Sequence, residues 1–177
     1  MIYASLKRIL HKVDAIVYGT CRGISIVMLV LLFAILTANV LVRWVPFLYI
    51  MWFDEVVEFS FAYMVFFGAA ALWRNHDHFR IDWLETKLGA TRINAYLRVV
   101  IDVMSLVFFI YFFRYSLELF QRSREVTPIL AFPRKALYAC MPMAAFIMLG
   151  YTIRDMVVHF GLLIRLSGRT ARNSNSG

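Results

Sequence analysis

Apolar residues run in long blocks along this chain, and the charged residues collect at the ends of those blocks. A hydrocarbon layer of about 30 Å needs about 20 mostly apolar residues at about 1.5 Å of helical rise each. The longest block, Gly23 to Val42, is uncharged and closes at Arg43. Because Arg22 is long enough to reach the headgroups from its start, the predicted span covers residues 15–43. A second block, Val56 to Trp73, holds Glu58 near its beginning and predicts a span over 55–74. In the third, Val99 to Phe113, Asp102 is the one charge. Around it Arg98 and Asp102, Arg114 and Glu118, and Glu118 and Arg122 stand four residues apart, which extends the predicted helix to 93–121. The last block, Ala136 to Ile153, is uncharged, has Pro142 near its beginning and predicts a span over 134–164.

Two shorter patterns fall between the spans. Trp44 to Phe53 is apolar but too short to cross, so an interfacial or partly re-entrant segment is expected there. After the second span, Ile81, Leu84 and Leu88 recur at helical spacing with Arg80, Asp82, Glu85 and Lys87 on other faces, the pattern of a short helix lying in the membrane interface. All four tryptophans, Trp44, Trp52, Trp73 and Trp83, fall near expected membrane boundaries, as an aromatic belt requires. The fold class expected is therefore an all-α integral membrane protein: four transmembrane helices with short interfacial amphipathic helices, in one domain over residues 1–165, followed by a polar flexible tail over 166–177.

Composition strengthens this picture. Of 177 residues, 62% are hydrophobic and only 17% charged, an excess beyond an ordinary soluble core, and the mean hydropathy is +0.69. The net charge of +8 then needs no nucleic-acid partner, because basic residues gather on the cytoplasmic flanks of membrane helices. Lys and Arg number 4, 1, 5, 5 and 4 in the five regions outside the span centres, taken in chain order. The positive-inside rule therefore places the N- and C-termini and the loop between the second and third spans in the cytoplasm. The N-terminus lacks the short apolar region and cleavage site of a secretory signal and is expected to stay on the mature protein. Cys21 and Cys140 read as small inert hydrophobes.

Candidate chemistry is sparse. His76, Asp77 and His78 invite a metal reading, but no second cluster supplies further ligands, so they read as charged residues closing a membrane helix. A bis-histidine haem would need imidazoles inside the spans, whereas His11, His76 and His78 lie outside the apolar runs and His159 sits at an edge. Asp54, Glu55 and Glu58 open the second span, where carboxylates suit the helix macrodipole or could meet a partner. Asp102 is an ionisable group within a span, usually a mark of function, with Arg98 one turn away. The sequence lacks a phosphate-binding loop, a hydrolase elbow, a zinc-protease motif and the paired helix breaks of a mid-membrane substrate site, so no catalytic residue is expected.

Two stretches carry a resemblance. Met51 to Leu88, with Trp52, Glu55, Gly68, Ala69, Arg74, His78, Ile81 and Asp82, and Thr127 to Met143, with Pro128, Pro133, Tyr138 and Pro142, resemble the small membrane subunit (Q, or DctQ-like) of tripartite ATP-independent periplasmic (TRAP) transporters. The likeness runs from about Leu10 to Ile164 and departs from the family's usual residues at Asp54 and Glu58. It implies a non-enzymatic subunit of the bacterial inner (cytoplasmic) membrane. This subunit would scaffold a large membrane (M) subunit in sodium-coupled uptake of an organic acid delivered by a periplasmic binding (P) protein. Cofactors are not expected on this chain, and the sodium ions are expected in the large subunit. Phospholipid is a further expected partner. Trp52, Glu55, Glu58, Gly68, Trp73, Arg74, His78, Asp82, Asp102, Pro128, Pro133, Tyr138 and Pro142 are the expected interface or anchoring residues. The alternative from another class is a membrane anchor of a respiratory oxidoreductase.

Overall fold

A computed structural model describes the backbone of residues 2–44, 51–74 and 92–174, and the side chains of 12–44, 51–74, 97–158 and 160–161. Within it the chain forms four helices: α1 (Ile2–Val42), α2 (Phe53–Arg74), α3 (Arg92–Arg122) and α4 (Arg134–Ser174). The last three begin within two residues of the starts expected from the apolar blocks, because a run of apolar side chains flanked by charge has one low-energy solution in lipid, a helix that satisfies its own backbone. The outer ends differ. α1 continues outward to Ile2, and α4 runs to Ser174 through most of the segment expected as a flexible tail. Once a helix is nucleated, each further residue adds one hydrogen bond, so it propagates past the apolar run. Pro142 is also deeper in α4 than its place near the start of the block suggested, because the helix begins at Arg134. There it removes the backbone donor that would reach the Tyr138 carbonyl.

Neighbouring helices are packed in the order α1, α2, α4, α3, which is not their order in the chain. Among the described residues the backbones of α1 and α3 do not approach each other, so the described helices form an open arrangement and not a closed four-helix ring. Asp14 of α1 meets Arg74 at the far end of α2, so α1 and α2 are antiparallel. Tyr63 and Trp73 of α2 meet Ala136 and Thr152 of α4 in the same sequence direction, so α2 and α4 run parallel at the centre. The start of α1, the end of α2 and the later part of α4 therefore share one side of the layer.

What the layer buries is small. Ala70, Ala71, Cys140, Ala144 and Ala145 are buried, with Cys21, Phe67, Phe109, Leu137, Met148 and Tyr151 beside them in the core. Large apolar residues instead face outward: Val27, Val30 and Phe33 on α1, Met104, Phe108 and Tyr111 on α3, and Phe146 and Val157 on α4. This is the arrangement expected where lipid is as apolar as leucine, so that helices gain by close approach of small residues rather than by hiding large ones. α1, α2 and α4 are long and apolar enough to cross a membrane. The share of the apolar window buried rises from 6% in α1 through 22% in α2 to 39% in α4, which makes α1 the most open of these three to lipid or a partner.

Candidate functional site

The polar contacts between helices concentrate at the two ends of α2. At its C-terminal end the guanidinium of Arg74 donates to both carboxylate oxygens of Asp14, with Nη2 at 2.6 Å from Oδ2 and Nε at 3.0 Å from each oxygen. Both side chains are 22% exposed, so the pair is shielded enough for geometry to matter. Arg74 also lies over the ring of Tyr18, 4.5 Å from its centroid. From α4, Arg154 stands 3.7 Å from Asp14 and donates to Asp155 at 2.9 Å, with its guanidinium 5.1 Å from the Tyr151 ring. Beside them Trp73 turns inward: its Nε1 donates to Thr152 Oγ1 at 3.0 Å, and its ring meets Phe109 edge-on at 4.8 Å. Three helices are thus tied at one level, and a fourth is touched through an aromatic ring.

Periodicity explains how α1 delivers its part. Asp14, Tyr18, Cys21 and Ser25 recur at intervals of four, three and four, one face of a helix. Ser25 Oγ donates to the Met64 carbonyl at 3.0 Å, and a Cβ added at Gly68 would stand 2.9 Å from that same Oγ. Glycine at 68 is therefore what lets α1 and α2 approach this closely.

The N-terminal end of α2 is tied differently. Glu55 accepts hydrogen bonds from the backbone amides of Ile129, at 2.9 Å to Oε1, and Leu130, at 3.0 Å to Oε2. Those amides are aimed by the α3–α4 loop, which is closed by the Thr127 amide on the Phe132 carbonyl (2.8 Å), the Phe132 amide on Thr127 Oγ1 (3.0 Å) and the Arg134 amide on the Glu125 carbonyl (3.0 Å). An isolated antiparallel bridge joins Val126 and Pro133. The tight return leaves Ala131 at a φ of 52°, a left-handed conformation that alanine adopts at a cost of about 1 kcal/mol. Tyr63 adds a bond from its hydroxyl to the Ala136 carbonyl at 2.7 Å, and its ring stacks on Phe59 at 4.3 Å.

Glu55 and Arg74 are thus the α2 partners in two clasps, and the helix between them rises about 29 Å at about 1.5 Å per residue. That is close to the roughly 30 Å of a bilayer core.

The other expected residues are distributed around these clasps. Gly68 packs within the chain against Ser25. Trp52 and Glu58 are exposed at the Glu55 end. Pro128 opens the loop tip, Pro133 closes it, and Tyr138 and Pro142 follow on α4, with Pro142 buried. Asp102 is half-buried on α3 and, like Arg98, is engaged in an interaction. Of the three ion pairs expected on this helix, Glu118–Arg122 is formed at 2.7 Å. His78 and Asp82, the 81–88 amphipathic segment, His76, Asp77 and most of the short apolar piece before α2 lie outside the described residues. Among the described residues no group of His, Cys, Asp or Glu is placed to hold a metal ion.

Sequence reasoning did not single out Asp14, Ser25, Thr152 or Arg154. The available signal was charge at the edges of apolar blocks, Asp14 before the first and Arg154 with Asp155 after the last, which is expensive near lipid unless it finds partners.

Comparison with known proteins gives one family match. The family model described as "Tripartite ATP-independent periplasmic transporters, DctQ component" matches residues 32–161, more than half of the chain. No curated protein matches it.

Proposed function

The chain belongs to the DctQ family, the small membrane component of tripartite ATP-independent periplasmic transporters, and from that membership we propose that it scaffolds the large membrane subunit during sodium-coupled uptake of an organic acid. A component of such a transporter is not an enzyme, and it works with a large membrane subunit and a periplasmic binding protein. In our reading α3 is the fourth span beside the three apolar ones, both termini face the cytoplasm, and the membrane is the bacterial inner membrane. The acid is a dicarboxylate, sialic acid or similar carboxylate, delivered by the binding protein. No cofactor is assigned to this chain; sodium and substrate belong to the large subunit.

The physical case rests on what a fixed wall requires. A domain that moves substrate across the bilayer needs a neighbour that neither slides nor rotates, held at a set depth. The two clasps, spaced like the bilayer core, resist sliding of α2 against α1 and α4, and the close contact at Gly68 resists separation. The observation that carries the reading is the family match, with the clasped layer as its physical support.

Co-purification of the tagged chain with the large subunit tests it. A stable one-to-one complex, in which transport in liposomes needs both membrane subunits and the binding protein, is expected. Uptake by the small chain alone, or transport by the large subunit unchanged in its absence, would overturn the scaffold role.

A further inference from the structure

Beside the Glu55 clasp, between the first turns of α2 and α4 and the α3–α4 loop, lies a cavity of about 180 Å³. Val56, Phe59, Leu130, Phe132 and Leu137 make its wall apolar, while Glu55, Glu58 and Arg134 supply the charge at its edge. That is smaller than the roughly 300–1,000 Å³ of pockets that enclose whole small molecules, so it suits part of a larger amphiphile. Of the three charged groups, Glu55 is already committed to two loop amides. Glu58 is exposed, and no ion pair to it is formed among the described residues. Arg134 has Glu125 at 3.5 Å, a long contact, with its side chain about one-third exposed. Two carboxylates against one guanidinium leave the edge negative. Its place, about one bilayer core from the Arg74 clasp along α2, is headgroup depth.

We propose that this cavity binds a phospholipid whose zwitterionic headgroup carries an ammonium. One acyl chain packs against Val56, Phe59 and Leu137, the ammonium meets the Glu58 carboxylate, and the phosphate faces Arg134. An anionic lipid brings no cation for Glu58 and adds charge of the sign the edge already has. Occupancy would stiffen the junction of α2, α4 and the loop. The proposal does not depend on which leaflet this end occupies. It is also independent of the scaffold role, whose own test is co-purification.

The test uses the full chain in detergent, titrated with phosphatidylethanolamine and phosphatidylglycerol of matched acyl chains and read by native mass spectrometry. The wild type is expected to retain phosphatidylethanolamine about five-fold better, and Glu58→Gln to bring the two close to parity. Val56→Trp, which occupies the cavity, is expected to reduce retention of phosphatidylethanolamine while helicity and elution volume stay unchanged. If that variant does not fold, Leu130→Trp occludes the cavity from the loop side instead. Equal retention of the two lipids by the wild type, or a preference that survives Glu58→Gln, overturns the proposal. So does loss of the large subunit from Glu58→Gln with the lipid preference intact, which would give the cavity to a protein side chain.

Discussion

The two ends of α2 solve one problem by different means. At Arg74 the tie is between side chains on separate helices, a bidentate ion pair with Asp14 that Arg154 and Tyr18 reinforce. At Glu55 it is between one side chain and the backbone of a loop. An ion pair between helices fixes their relative position but leaves a costly orphan if either partner is lost. A carboxylate on two amides fixes only the loop, and its loss exposes groups that water can satisfy. The Arg74 end should therefore hold the layer together, and the Glu55 end should shape the surface it presents.

Mutation separates the two. Arg74→Ala strands the half-shielded Asp14 carboxylate and is expected to cost about 2–3 kcal/mol, read as a lower thermal midpoint in nanodiscs. Asp14→Asn combined with Arg74→Gln should cost clearly less than the sum of the two single changes; strict additivity would mean that the pair is not coupled. Next comes Gly68→Leu, which drives a side chain into Ser25 and should cost about 1–3 kcal/mol, partly recovered by Ser25→Gly. At the other end Glu55→Gln should leave the midpoint almost unmoved while the Ile129 and Leu130 amides exchange hydrogen several-fold faster. If it lowers the midpoint as much as Arg74→Ala does, the contrast between the ends fails. Trp73→Phe, which removes the interhelical hydrogen bond to Thr152, should cost about 0.6 kcal/mol, less than Gly68→Leu and more than Glu55→Gln.

The helices themselves were legible in the sequence, because span length and flanking charge are one-dimensional quantities. The starts of α2, α3 and α4 follow directly from where apolar runs begin. Helix facing was not legible in the same way. α2 is apolar along most of its length, so hydrophobic periodicity does not say which side is inside, and the buried residues mix the small Ser60, Ala70 and Ala71 with the large Phe67. Nor could spacing reveal the clasps. Glu55 and the Thr127–Pro133 turn were visible as two separate motifs, but their meeting is a fact of tertiary structure, as is that of Arg74 with Asp14. Trp73 shows the limit of a boundary rule: it stands at the end of α2, but its indole is turned inward to Thr152.

Locking α1 to α2 in the assembled transporter tests the fixed-wall account most directly. The Cβ of Ser25 would lie 3.8 Å from a Cβ at Gly68, a separation that suits a disulfide. In a chain with Cys21→Ala and Cys140→Ala, the Ser25→Cys and Gly68→Cys pair should oxidise readily, and binding-protein-dependent uptake should continue at the reduced protein's rate. Uptake that stops on oxidation and returns on reduction would show that these helices must move, and would contradict the account.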